Sequence, residues 1–505
     1  MSNFILQSAF LKFLEKGEEM NKKQISMVTF AMILSNVMAG LDSTIVNTAI
    51  PAIIADLHGI EFMGWIIALM LLGMTVSTPI WGKLGEKFGN KMAFETSIFL
   101  FVLGSLGQGL ASNIYFFLVA RTIMGIGAGG MGALPYIMSG FIFKNIRQRT
   151  RILGYLGASF SVAAIVGPLA GGYLVDVLSW HWVFYINLPI GLVAILLSMI
   201  YYREDVHERV VHFDMLGAFL ITLGLVAILL GIQMLGMISP IAVILLIVAG
   251  VVILAFFLRY ERNVKNPIIP IEMLKNKALV GDLVLFMLTW GAFLAVNTYL
   301  PMWAQGLLGT TALMGGVTLV PNSLADTVGT QIVNPLKERF NDRFLIFWSI
   351  ILMIISALGM ALLPQSASFW VITTIATFSG LGVGFIFVLL QVKVQVDAGE
   401  SDMAEATSLS FLIRILAQTV MAAVYGVIMN LALARGVAQH KGITIEMMNK
   451  LSDAESAKSL PQQLLPTMRT IFHAGLREIM VCAVVLLLIA LIANRFFNGK
   501  KSKLD

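Results

Sequence analysis

A single cysteine, Cys482, stands in 505 residues, so the chain can form no disulfide with itself and no cysteine-based zinc site. Its six histidines are scattered without ligand spacing, so no metal is expected. No nucleophile, metal or nucleotide constellation supports catalysis, and no cofactor is implied. Charge is scarce too: 12% of residues are Asp, Glu, Lys or Arg, about half the share of a soluble domain. A sizeable soluble signalling domain is also missing, which speaks against a non-transporting membrane sensor.

Apolar sequence fills the space instead. It makes up 58% of the chain and falls into about fourteen runs approaching the ~20 residues that cross ~30 Å of hydrocarbon as a helix. The expected fold is therefore all-α, a polytopic membrane protein. Spans are expected at 25–50, 64–81, 93–110, 114–143, 152–175 and 182–201, then at 215–235 and 240–258, then at 279–303, 313–335, 344–363, 369–392, 404–433 and 471–495.

The net charge of +6 could signal an acidic partner such as nucleic acid, but its placement says otherwise. Lys and Arg gather in alternate loops: Lys22 and Lys23; Lys83, Lys87 and Lys91; Lys144 to Arg151; Arg259 to Lys277; Lys337 to Arg343; and Arg495 to Lys503. The loops near Ala111, Met237, Leu308 and Gln365 carry neither residue. By the positive-inside rule both termini face the cytoplasm, with an even number of spans and one long outer loop at 435–469. Residues 4–14 are too short to span and suit an interfacial amphipathic helix, unless translation starts at Met20 and the segment is never made.

Leu84-Gly85-Glu86-Lys87-Phe88-Gly89-Asn90-Lys91 recurs in outline as Leu336-Lys337-Glu338-Arg339-Phe340-Asn341-Asp342-Arg343, each after a second span. That spacing predicts an internal repeat. The expected organisation is a cytoplasmic segment at 1–22, a six-helix bundle at 23–203, a linker with two extra transmembrane helices at 204–277, and a second six-helix bundle at 278–505. The inserted pair carries almost no polar groups. It is expected to face lipid, outside the transport path, without buried charge.

A carboxylate at membrane depth costs ~2.5–3.5 kcal/mol even on gentle scales, so Asp42 in the first span should face protein or water. Pairing with Arg121 of the fourth span and proton coupling are both open, and they do not exclude each other. After Arg121 comes Gly125-Ile126-Gly127-Ala128-Gly129-Gly130, formally a dinucleotide pattern, but no strand can precede it inside an apolar span. These glycines instead permit close helix approach. In the fifth span Gly167, Pro168, Gly171 and Gly172 combine bending with tight packing. Asp326 is a second intramembrane acid, suited to a cation or a proton or to a solvated structural role, and Arg414 is a further buried ion candidate. Trp290, Phe293 and Tyr299, with 29 methionines overall, could line an adaptable apolar site or simply face lipid.

At these residues the chain resembles the major facilitator superfamily, and within it the 14-span drug:proton antiporters. Gly82-Lys83-Leu84-Gly85-Glu86-Lys87-Phe88-Gly89-Asn90-Lys91 is similar to the superfamily's loop motif, with Glu86 for the usual Asp and Asn90 for a usual base, so the cytoplasmic charge latch is altered. Arg121 to Gly129 resembles the fourth-span proton-coupling motif. Gly167-Pro168 with Gly171-Gly172 resembles the antiporter motif, with Ala163 where its first Gly is expected. The Leu41-Asp42 to Pro51 run and Trp180 to Gly191 resemble stretches specific to the 14-span family.

The resemblance implies two six-helix bundles plus two inserted helices. It implies proton coupling through the Arg121 motif, with Asp42 and Asp326 as the acids expected to carry the proton, and gating through Glu86, Lys87, Gly89, Gly167, Pro168, Gly171 and Gly172. Asp326 also resembles an acid associated with cationic-drug recognition in some members, so it is expected in the substrate site with Trp290, Phe293 and Tyr299. The resemblance further implies a monomer in a bacterial cytoplasmic membrane, among lipids, exchanging protons for lipophilic, cationic small molecules without nucleic acid. Export of an endogenous lipid, peptide or metabolite is the alternative.

Overall fold

The computed structural model describes residues 20–143, 145–204, 214–235, 239–264, 267–268, 271–399 and 402–497. The expected interfacial helix at 4–14, with the question of a start at Met20, and the basic tail beyond Phe497 lie outside the described residues. Within them the chain is helical, and it has no strand.

The first helices are α1 (Lys22–Leu57), α2 (Met63–Phe88), α3 (Asn90–Gly109), α4 (Ile114–Ile142) and α5 (Ile146–Val177). Next come α6 (Trp182–Tyr185) and α7 (Asn187–Tyr201), then α8 (Met215–Gln233) and α9 (Pro240–Glu261). The remainder are α10 (Lys277–Met302), α11 (Ala312–Val317), α12 (Leu319–Lys337), α13 (Asp342–Leu362), α14 (Phe369–Ala398), α15 (Met403–Gln439), α16 (Ile445–Leu451), α17 (Ala454–Ala457) and α18 (Leu465–Phe497). Short polar residues start many of them by satisfying orphan backbone N–H groups. Asn21 and Gln24 form a reciprocal capping box on α1, and Asn113, Ser239, Asn276 and Asn341 cap α4, α9, α10 and α13.

Short connections make successive long helices antiparallel, so the bundle has a terminal end, near Lys22 and Phe497, and an opposite distal end. In the first half α4 packs between α2 and α3, α1 packs on α5 and α7, and α3 also meets α7. The same neighbours recur in the second half: α14 between α12 and α13, α10 on α15 and α18, and α13 on α18. Across the halves, α2 lies against α15, and α5 against α11 and α12.

Among the described residues, eleven helices are long and apolar enough to cross a membrane, with two shorter apolar stretches at Ile165–Val177 and Leu216–Ile232. The expected span at 313–335 is broken at Thr318 into α11 and α12, and Asn322, Asp326, Thr330 and Gln331 make it polar. The long loop expected at 435–469 is shorter. Helix continues to Gln439 and resumes at Leu465, and the connection between them carries α16 and α17.

The two inserted spans carry no charged residue, but buried charge flanks them. Asp214 and Glu261 are both buried where the start of α8 meets the end of α9. Asp214 caps α8 by accepting from Gly217 N at 2.8 Å, and it accepts a second bond from the Tyr260 hydroxyl at 3.1 Å. These acids stand at span ends, where sequence alone reads them as solvated. Closing the hairpin packs them instead. Helix α9 is exposed along Ile241, Ile244, Leu245, Val248, Val251 and Val252, as a lipid-facing helix would be. Helix α8 has two sides: Leu216, Phe219 and Leu223 are exposed, while Leu220, Ile221, Leu225 and Leu229 join the main core, where α8 touches both α2 and α15, one helix from each half.

Candidate functional site

Asp42 and Arg121 are both almost fully enclosed, and they face each other between α1 and α4. Arg121 Nη1 lies 3.3 Å from Asp42 Oδ1 and 3.5 Å from Oδ2, while Nε donates to the Ile66 carbonyl of α2 at 3.2 Å. Gln108 Oε1 of α3 accepts from Nη1 at 3.4 Å. Four helices thus meet at one guanidinium. Distances above the usual 2.7–2.9 Å for such bonds describe a pair that is in contact but not clamped.

The glycine run bearing Arg121 makes this approach possible. A Cβ on Gly127 would sit 2.6 Å from the Ser97 carbonyl, and one on Gly129 would sit 2.8 Å from the Met74 carbonyl. Trp81 Nε1 and Ser77 Oγ then donate to the Ile126 carbonyl at 2.7 and 2.9 Å, tying α2 to α4.

Along α5 the packing changes from open to jammed. A Cβ on Gly154 would meet nothing within 4 Å, whereas on Gly171 it would fall 2.5 Å from Thr48 Oγ1 and 2.7 Å from the Ile45 carbonyl. Gly167 lies as tightly on Thr44, Gly172 on Leu313, and the Pro168 carbonyl leaves no room for a Cβ on Gly316. Gly171→Val is expected to force α1 and α5 apart at a cost of about 1–3 kcal/mol. Gly154→Val should stay within about 0.5 kcal/mol. Thermal unfolding in detergent compares the two, and equal midpoints would remove the argument.

The polar bonds that join the halves gather at the distal end. Asp176 on α5 accepts from the backbone N–H groups of Ala312 and Leu313 at 2.9 and 2.8 Å. Gln305 Nε2 donates to the Thr48 carbonyl at 3.1 Å, and Asn430 Nδ2 to the Glu61 carbonyl at 2.8 Å. The α16 segment adds Asn449 Oδ1, which accepts from Ile60 N at 2.9 Å, and Ser452 Oγ, which donates to the Pro51 carbonyl at 3.1 Å. These bonds hold the two halves together at the distal end.

At the terminal end Gly89 holds φ at 95°, a left-handed value that ends α2 and turns directly into α3. The Glu86 side chain lies outside the described residues, and Lys87 sits 5.0 Å over the Phe88 ring. The next two residues bond within their own half: Asn90 Nδ2 and Lys91 N donate to Glu204 at 2.7 and 2.8 Å.

In the second half, Asp326 is partly buried beside Gly384 of α14, and it makes no ion pair among the described residues. Trp290 and Phe293 are also partly buried, but Tyr299 is 1% exposed and stands edge-on to Tyr425 at 6.2 Å. Sequence reasoning passed over one cluster here. Asp282 of α10, 1% exposed, lies 3.6 Å from Lys393 Nζ, which also reaches Asp397 at 3.4 Å. The signal was an acid three residues inside an expected span.

Comparison with known proteins decides what such a bundle belongs to. The sequence pattern described as "Major Facilitator Superfamily" matches residues 32–422. The chain belongs to the Major Facilitator Superfamily. Among curated relatives of this superfamily member, "Multidrug resistance protein 3" of Bacillus subtilis (strain 168) is 30% identical over 461 residues, covering 89% of this chain and 87% of that one. "Multidrug efflux pump SdrM" of Staphylococcus aureus (strain N315) is 27% identical, covering 79% and 89%. The crystal structure of a bacterial homologue of the human lysosomal transporter Spinster, inward-facing and occupied, superposes with a TM-score of 0.65 at 14% identity, over 95% of this chain and 98% of that one. That likeness shows the fold alone. The superfamily member is thus a multi-pass membrane transporter and not an enzyme.

Proposed function

We propose that this transporter is a proton-coupled multidrug efflux antiporter that exports lipophilic, cationic compounds by alternating access between two six-helix bundles. Fourteen spans fit the reading, with α5, α8 and the α11–α12 pair as the three crossings that are short or polar. Its basic terminal end faces the cytoplasm, and protons enter from the distal, outer side. The observation that carries the reading is the enclosed Asp42–Arg121 pair in a bundle whose curated bacterial relatives are named as multidrug pumps.

A buried carboxylate beside a guanidinium can exist charged and paired or protonated and released, and each state favours a different helix arrangement. Proton binding at Asp42, Asp326 or both weakens attraction for a cationic cargo and releases it outward. The membrane potential supplies ~2.3 kcal/mol per charge per 100 mV, with any pH gradient added. Trp290 and Phe293 offer ring surface to the cargo, while Tyr299 requires the distal seal to open first. Glu86, Lys87 and Gly89, with Gly167, Pro168, Gly171 and Gly172, act as the moving joints.

Substrate-induced proton movement in membrane vesicles tests this. Asp42→Asn should abolish it, and Asp326→Asn should reduce transport of cations by about tenfold or more while sparing neutral cargo. Intact proton movement in Asp42→Asn removes that residue from coupling. Unchanged cation transport removes Asp326 from recognition. A second reading, export of an endogenous metabolite, has its own support: a 31% identical relative covering 76% of this chain is named the "Acurin A biosynthesis cluster MFS-type transporter" of Aspergillus aculeatus.

A further inference from the structure

Arg414 lies about 16 Å along α15 from its first residue, at a depth where an uncompensated cation is costly. Four aromatic rings surround its guanidinium. The carbon Cζ stands 4.9 Å from the centre of the Phe286 ring, 5.1 Å from Trp290, 5.0 Å from Phe387 and 5.7 Å from Phe411. These rings come from α10, α14 and α15, so the cage is a tertiary feature of the second half. Ring faces attract a cation but cannot accept its in-plane N–H bonds.

Only Nε is used, donating to the Ser410 carbonyl at 3.3 Å. The two terminal nitrogens donate to no described group, and neither is among the fully enclosed polar atoms. No carboxylate lies within 4.0 Å among the described residues. Beside it, Ser410 Oγ donates to the Thr407 carbonyl at 2.8 Å and lies 3.4 Å from the Gln391 amide. The site therefore holds positive charge, surplus N–H groups and ring surface, and it lacks an acceptor.

We propose that Arg414 and its aromatic cage form a subsite for the anionic head of a lipophilic ligand, a carboxylate or sulfonate whose tail packs among the rings. The planar guanidinium fork matches two coplanar anionic oxygens, and a lysine in its place would offer only a point charge. Asp326 and Arg414 both abut the same stretch of α14, at Gly384 and Phe387, without pairing with each other. One transporter can thereby take amphiphiles of either sign, which goes beyond the cationic cargo proposed above.

The test is equilibrium binding to the full chain in nanodiscs of zwitterionic lipid, corrected for empty nanodiscs, with no pH gradient. Failure of proton coupling would leave this readout untouched. The probes are dodecanesulfonate and dodecyltrimethylammonium, which share a tail. Arg414→Gln should weaken the anion by about tenfold or more and leave the cation within about twofold, and Arg414→Lys, which keeps the charge but loses the fork, should weaken the anion by an intermediate factor of about three- to tenfold. Equal loss of both probes would make Arg414 a pin between helices and overturn the proposal, as would unchanged anion binding. Should Arg414→Gln not fold, the wild-type chain decides: dodecanesulfonate should bind at least about tenfold more tightly than dodecanol, and parity overturns the subsite.

Discussion

Arg121→Ala should cost about 3–5 kcal/mol of stability and abolish transport, because it leaves the Asp42 carboxylate enclosed with no counter-charge. The loss is larger than the pair is worth. A buried ion pair roughly balances its desolvation against its attraction, whereas one ion alone keeps the whole penalty. The double substitution Asp42→Asn with Arg121→Gln removes both charges and keeps the polar contact. It should restore folding to within about 1–2 kcal/mol of the native chain. Transport coupled to protons should stay absent in the double variant, since the group proposed to bind the proton is gone. Thermal unfolding in detergent and vesicle flux read the two effects separately. A stable Arg121→Ala chain would mean that Asp42 sheds its charge by binding a proton, or finds another partner or water.

Asp176→Ala should shift the conformational balance away from the distally sealed form. Its carboxylate holds two backbone N–H groups at the start of α11, and bonds to a charged acceptor contribute about 1.5–3 kcal/mol each. Losing about 3 kcal/mol changes the ratio of the two forms by more than a hundredfold. Asp176→Asn keeps one acceptor oxygen and should shift it less. Spin labels at Leu178 and His440, introduced as cysteines with Cys482→Ser, would report the separation of the distal ends across the two halves. A longer distance population should grow in the order native, Asp176→Asn, Asp176→Ala. Identical distributions would make Asp176 an ordinary helix cap rather than a latch.

Charge is what made much of this site legible in the sequence. Asp42, Arg121, Asp326 and Arg414 stand out because an ionisable group in an apolar run needs a reason to be there. The glycine runs after Arg121 and around Pro168 were equally plain, and both prove to be places where backbone meets backbone.

What stayed hidden depends on three-dimensional closure. Asp214, Glu261 and Asp282 stand near span ends, where sequence cannot separate a solvated acid from one packed under a neighbouring helix. The Arg414 cage draws its rings from positions 286, 290, 387 and 411, and no spacing along the chain links them. The connection between α15 and α18 reads as a polar loop, yet Asn449 and Ser452 are buried against the first half. Sequence leaves Trp290 open between lining an apolar site and facing lipid, and its ring centre stands 5.1 Å from the Arg414 guanidinium carbon.

Alternating access, as proposed, requires the region around Asp42 to open to one side of the membrane at a time. Ser43 is exposed and adjoins Asp42 in the chain, so Ser43→Cys in a Cys482→Ser chain gives a thiol at the depth of that carboxylate. Reconstituted in oriented vesicles, it should react with a membrane-impermeant thiol reagent from the terminal face at rest. During transport driven by a pH gradient, reaction from the distal face should rise as that from the terminal face falls. Labelling from both faces at once, or from neither under any condition, would contradict alternating access at Asp42.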